Sequence, residues 1–334
     1  MDIKRLLLAL ALSFVFIVTW NVLFPPVEEV KDRKEPSANM EKLAETIQAQ
    51  PQETPIINSV NSNNPITIST PLVKLEMVNG ATSMHSLQIV ESNPDNTYKH
   101  TGVWGDDGNK YITNAPVELI RGAVCNPCLI IDKQSVEFES VNIQKTENLQ
   151  IIRSVSEQEI IKETIISDDS YTIEHNFENL PDKNVILVWG SGLLPSEKLI
   201  ADDLSYFSVY AQNEKSYEEE YLSSVDDSEK FTFDDNVGWG GLKSKYFIKA
   251  ITNDNYNDLK AKKVVFNVAP YKIIDGVQTV NVNMEYHYGY QDIENGALQV
   301  SSYVGPIDMK HLNQEENKHL GQLFGFGWFF IGYL

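Results

Sequence analysis

Two cysteines in 334 residues are too few for a disulfide scaffold, so a packed core has to hold the fold. Basic side chains are also scarce: 27 Lys and Arg stand against 47 Asp and Glu, a formal charge of −20. Neutralising phosphates needs clustered cations, so this deficit excludes a nucleic-acid partner held on a basic face. Helical periodicity is missing between residue 71 and Gly305-Pro306. The chain does have 42% hydrophobic and 22% charged residues, the proportions of an ordinary folded protein, and enough length for one or two domains.

Charge is absent from residues 6–24, LLLALALSFVFIVTWNVLF. Nineteen residues at about 1.5 Å each span roughly 29 Å, near the thickness of a bilayer's hydrocarbon core. Lys4 and Arg5 precede the run, Trp20 and Phe24 sit at its outer end, and Pro25-Pro26 stops it. A cleaved signal peptide would end in a small-x-small site, and Thr19-Trp20-Asn21-Val22 offers none. The segment is therefore expected to be an uncleaved transmembrane anchor, residues 1–26. Flanking charges tie, Lys4 and Arg5 with the amino terminus against Lys31, Arg33 and Lys34. The N-terminus is placed in the cytoplasm because the long acidic remainder has the character of an exported domain.

Residues 27–70, broken by Pro36, Pro51, Pro55 and Pro65 and rich in Asn, are expected to be a flexible tether. From 71 onward the pattern is that of strands. Val280, Val282, Met284, Tyr286, Tyr288 and Tyr290 alternate with polar residues or glycine, and Tyr171, Ile173, His175 and Phe177 do the same. Further β-rich runs lie at 72–78, 136–143, 149–155, 160–166, 185–189, 246–251, 264–268 and 298–304. Asn79-Gly80, Asp106-Asp107-Gly108 and Asp275-Gly276 mark turns between them. The expected fold is mainly β: a large antiparallel supersandwich over residues 71–323, closed by a helix capped by Asp308. Residues 324–334, FGFGWFFIGYL, are uncharged and too short to span a bilayer. With Trp328, Phe329 and Phe330 they are expected to begin an interfacial or membrane-entering segment, the alternative being a packed terminal strand.

Cys125-Asn-Pro-Cys128 admits three readings: a redox pair, a metal knuckle, or a local disulfide or pair of thiols in a turn. The residues after it are strand-like, and there is no second C-x-x-C, which favours the last. Neighbours on a strand face opposite ways, so Glu174 and His175 cannot converge as acid and base; Glu285 and His287 share a face but look like an exposed polar stripe. The acidic runs 217–221, 226–227 and 234–235 lack a calcium-loop pattern. No catalytic, cofactor or metal site is expected, and the chain is not expected to be an enzyme.

Several blocks resemble one family in order. Met1-Asp2-Ile3-Lys4-Arg5 with its anchor is similar to the start of YidC-type bacterial membrane protein insertases. Trp189-Gly-Ser-Gly-Leu193, Glu197 and Asp203-Leu-Ser-Tyr206 resemble a loop region of that family's periplasmic domain. Gly238-Trp239-Gly-Gly-Leu-Lys-Ser-Lys245-Tyr246-Phe247 resembles the stretch in which a Gly-Trp pair precedes a strand ending in Tyr-Phe. Tyr303-Val-Gly305-Pro306 resembles the aromatic-x-Gly-Pro turn before the closing helices, and Gly325-Phe-Gly-Trp328-Phe329-Phe330 the amphipathic element on the membrane.

The resemblance implies a protein of the cell inner membrane with its main domain in the periplasm. It further implies a role in inserting and folding membrane proteins, with nascent membrane proteins and the lipid bilayer as partners and the Sec translocon beside them or not. The family's five further membrane helices, with their polar groove, would follow Leu334. The sequence is thus expected to be a fragment, or a truncated product unable to insert proteins alone. The reading from another class is a membrane-tethered periplasmic sandwich that binds glycan or peptide.

Overall fold

The computed structural model describes residues 60–61, 65–78, 82–105, 110–190, 193–213, 216–222, 228–252, 261–274, 277–293, 295–312 and 320. The anchor at 1–26, most of the tether and the segment at 324–334, with Trp20, Phe24, Trp328, Phe329 and Phe330, lie outside the described residues. No described helix is long and apolar enough to cross a membrane.

Among the described residues, twenty-one strands form three antiparallel sheets. The largest begins with β1 (Val60–Asn61), β9 (Phe138–Lys145), β10 (Leu149–Ser156), β11 (Ile161–Ser167) and β12 (Thr172–Glu178). It continues through β21 (Leu298–Pro306), β18 (Phe247–Thr252), β17 (Trp239–Lys243), β14 (Ser208–Gln212) and β15 (Tyr217–Tyr221). A six-stranded sheet runs β16 (Glu229–Val237), β19 (Ala261–Ile274), β20 (Val277–Tyr288), β13 (Val185–Trp189), β7 (Cys128–Ile131) and β8 (Gln134–Ser135). A five-stranded sheet runs β2 (Ile66–Ser69), β3 (Val73–Val78), β4 (Ser83–Ile89), β6 (Tyr111–Cys125) and β5 (Thr101–Trp104).

Alternation in the sequence becomes alternation in burial. Val282, Met284, Tyr286 and Tyr288 of β20 are all buried, and so are Ile173, His175 and Phe177 of β12. The largest and the six-stranded sheets meet through these faces. The Tyr286 hydroxyl donates to the Gly240 carbonyl at 2.8 Å, and the Trp189 ring lies edge-on to Tyr286 at 5.4 Å and to His175 at 6.2 Å. The five-stranded sheet joins the same core: Leu194 N–H donates to Leu119 O at 2.9 Å, and Gln150 Nε2 to Ser69 O at 3.3 Å.

Polar groups sit inside this core. The fully buried Lys162 ammonium donates to the Asn126 and Pro127 carbonyls at 2.9 and 3.1 Å, and Lys249 to Gly190 O at 2.8 Å. His175 Nε2 lies 3.1 Å from Ser302 Oγ. Burial lowers the pKa of all three, taking Lys249 down to about 7, and the Lys162 charge adds to the effect on His175.

The outcome differs from expectation in three places. The sheets begin within the stretch read as tether, because Ile66 and Ile68 of β2 are buried against β3. The Gly-Trp stretch is a hairpin and not one strand: Trp239 lies in β17, and Tyr246-Phe247 starts the return through a turn in which the Ser244 N–H donates to Phe247 O at 2.8 Å and the Phe247 N–H to Ser244 Oγ at 3.2 Å. The strand read through Tyr290 stops at Tyr288, where a short 3-10 turn, Tyr290–Asp292, follows. Among the described residues both margins of the largest sheet, β1 and β15, are unpaired, and β15 carries Glu218, Glu219 and Glu220.

Candidate functional site

The blocks that looked family-like divide into two groups. Trp189 and Trp239 are wholly buried; Trp239 lies against Tyr210 at 5.3 Å. The glycines beside Trp239 allow strands to approach closely: a Cβ at Gly240 would fall 2.9 Å from the Tyr210 carbonyl, and one at Gly241 would overlap the Lys249 carbonyl. Gly238 donates its N–H to Gln212 O at 3.0 Å and so joins β17 to β14. This group builds the core.

The second group converges on one end of the sheets. A helix of five residues, α1 (Ile200–Leu204), puts Asp203 inside the protein with no exposure. Its carboxylate accepts from the Ser196 N–H (2.7 Å), the Glu197 N–H (3.3 Å) and the Lys245 N–H (3.4 Å). Burial raises the Asp203 pKa, and these hydrogen bonds partly offset it. Asp202, next in the chain, pairs with Lys245 Nζ at 2.7 Å and holds that ammonium above the usual lysine range. Lys245 Nζ also lies 5.5 Å from the Tyr206 ring centre and 5.1 Å from that of Tyr246. The loop after Trp189 and the turn of the Gly-Trp hairpin are thereby locked together.

Gly305-Pro306 closes the same end. Phe247 pairs with Pro306, the Tyr303 hydroxyl donates to Pro306 O at 2.7 Å, and Ile307 N–H donates to Tyr246 O at 2.8 Å. A Cβ at Gly305 would lie 2.7 Å from Cγ of Tyr171, so the close approach requires glycine. Beyond it the Asp308 carboxylate accepts the Lys310 N–H at 2.9 Å and caps α2 (Met309–Leu312). A cleft of about 530 Å³ opens here, with Ser196, Glu197, Tyr246, Phe247, Asp308 and Met309 in its walls.

Beneath it lies a cluster that sequence reasoning missed. Glu91 faces Lys99 (3.4 Å), Lys310 (3.4 Å), His311 (3.6 Å) and His100 (3.8 Å), and accepts the Tyr171 hydroxyl at 3.0 Å. Lys99 also reaches Asp308 at 3.0 Å. Burial works against ionisation of Glu91, yet the tyrosine and the cations hold its carboxyl below the usual range. Burial lowers the pKa of both histidines. Segments more than 200 residues apart meet at one carboxylate, and no local pattern in the sequence announces that.

Chemically this end is a clamp. Its charges are paired with one another, and Asp203 accepts from backbone N–H groups; the arrangement fastens residues 305–312 to the sheets and leaves a cleft beside them. Elsewhere, Cys125 and Cys128 are joined as a disulfide at the corner where β6 passes to β7. Among the described residues no group of three or more His, Cys, Asp or Glu is arranged to hold a metal ion. Glu285 Oε2 lies 3.2 Å from His287 Nε2 on a half-exposed face, while Glu174 and His175 point to opposite sides.

Residues 134–333 match the family model of the YidC periplasmic domain. The chain is 23% identical, over 365 aligned positions, to the membrane protein insertase YidC of Nitratidesulfovibrio vulgaris strain DP4, covering 98% of this chain and 61% of that protein. The insertase of the Hildenborough strain gives the same figures. The chain thus spans about three fifths of the length of the curated relatives it matches. Among solved structures, an active YidC insertase with its first transmembrane domain resolved is 11% identical, with a TM-score of 0.31 over 93% of this chain and 52% of that one. A galactose mutarotase-like protein from Lactobacillus casei is 9% identical, with a TM-score of 0.40 over 73% of this chain and all of the other.

Proposed function

The chain belongs to the family of the YidC periplasmic domain, and from that membership we propose that it is the anchor and periplasmic domain of a membrane protein insertase. Its role is non-enzymatic: it takes part in inserting and folding inner-membrane proteins, alone or beside the Sec translocon. Residues 1–26 anchor it with the N-terminus in the cytoplasm, and a tether follows that gives way to sheet by Ile66. The sandwich lies in the periplasm, and residues from 324 enter the membrane interface. The observation that carries this reading is the family match over 200 consecutive residues, 134–333. The clamp supports it, since an insertase domain has to be fixed firmly to the chain that leads into the bilayer.

The test is photo-crosslinking of the membrane-embedded chain during synthesis of inner-membrane proteins. Adducts between this chain and nascent membrane proteins are expected. Saturable glycan binding by the domain with no such adducts would instead favour a tethered binding module.

A further inference from the structure

Four exposed large apolar side chains lie at the clamped end of the sandwich. Leu199 is 67% exposed, Tyr206 44%, Met309 40% and Tyr246 39%. They are neighbours. Tyr206 and Tyr246 flank the Lys245 ammonium, Lys245 pairs with Asp202, Asp202 donates its N–H to the Leu199 carbonyl at 3.1 Å, and Met309 shares the cleft with Tyr246. A leucine and a methionine beside two tyrosines and a lysine are the side chains that settle at headgroup depth, with apolar bodies inward and polar tips wet.

The chain itself says what lies against them. Leu320 is buried with no exposure, and the uncharged run FGFGWFFIGYL begins four residues later at Phe324. Four residues reach at most about 14 Å. If that run lies in a membrane interface, as the proposed function holds and on which this inference rests, the sandwich cannot stand off from the bilayer. The last described element before Leu320 is α2, whose first residue is Met309 of the exposed group. We infer that Leu199, Tyr206, Tyr246 and Met309, with Lys245 among them, form a membrane-facing surface that rests on the lipid headgroups. The lipid is zwitterionic: Lys245 is already neutralised by Asp202, and a protein of charge −20 is repelled by an anionic surface.

The full chain, reconstituted in vesicles of phosphatidylethanolamine and phosphatidylcholine, tests this with an environment-sensitive fluorophore on one introduced thiol and a headgroup spin-labelled lipid as quencher. Labels go at Met309→Cys and Leu199→Cys, both exposed and so tolerant of change. A control goes at Glu178→Cys, at the opposite end of the same sheet, since Phe177 pairs with Leu298 while Phe247 pairs with Pro306. That is about 27 Å away along β21. A fourth label at Ile331→Cys reads whether the apolar run is in the lipid. Quenching at 331, 309 and 199 several-fold stronger than at 178 is the expected result. Quenching at 331 with 309 and 199 no stronger than 178 overturns the membrane-facing surface and leaves the parent reading standing. No quenching at 331 overturns both.

Discussion

The Nζ of Lys162, wholly inside the protein, lies 2.9 Å from the carbonyl oxygen of Asn126. Asn126 is one of two residues enclosed by the Cys125–Cys128 disulfide, and Lys162 bonds the other, Pro127, as well. A strand of the largest sheet thus holds the corner where the chain passes from the five-stranded sheet to the six-stranded one. Lys162→Met removes the donor to two buried carbonyls and should destabilise the protein by about 1–3 kcal/mol, the cost of leaving such groups unsatisfied. Denaturant unfolding of the variant against the parent chain measures it.

Reducing the disulfide should be mild. The bond closes a loop of only four residues, for which chain entropy assigns about 2 kcal/mol. The Cys125→Ser, Cys128→Ser double variant should therefore fold with a lowered midpoint, and adding it to Lys162→Met should give less than the sum of the two effects, because both act on one corner. A double-mutant cycle reads the coupling.

Asp203 and Lys245 lie side by side but differ in weight. Asp203→Ala takes the acceptor from three backbone N–H groups of residues 196, 197 and 245 and should cost about 3 kcal/mol or more. Lys245→Ala removes a surface ion pair screened by solvent and should cost less than Asp203→Ala. Thermal melts of the two variants should rank them in that order.

The two ends of the pH scale act through different groups. His100 and His311 are held below 6.5 by burial, so their contribution is complete above that pH and is lost as the pH falls beneath it. Glu91, held below its ordinary 4.5, follows at lower pH with the same sign. A His311→Phe variant keeps a ring against Tyr171 and should flatten the melting temperature between pH 6.5 and the lowered histidine value. Lys249 is pushed down to about 7 from 10.5, so its burden on the folded state is relieved as the pH rises between those values. Stability should climb over that window, and Lys249→Met should remove the climb.

Much of this architecture was legible before any coordinates. Alternation placed β12 within a residue, because one of its faces lies in the core, and β-rich composition placed β10, β11, β13 and β21 within a residue or two. Where both faces carry apolar residues, pattern fails. In β11 the core receives Lys162, Thr164 and Ile166, while Ile161 and Ile165 are only half-buried, so the register puts a lysine where hydropathy alone would put isoleucine. Lys249 in β18 was hidden for a related reason: every residue of that strand is buried, leaving no periodicity to read. The clamp was half visible, since Glu197, Asp203, Lys245 and Gly305-Pro306 stood out as blocks. Glu91, Tyr171 and His311 did not, because their meeting depends on contacts far apart in the chain.

The β15 margin of the largest sheet has one more effect. An open strand invites another polypeptide to continue the sheet. Here the next strand would lie about 4.8 Å from Glu218, Glu219 and Glu220. Two copies meeting edge to edge would bring Glu218 and Glu220 of each, which share a face, near those of the other, four carboxylates in all, whereas Glu219 is paired with Lys243 on the opposite face. Their repulsion opposes edge-to-edge pairing of two copies.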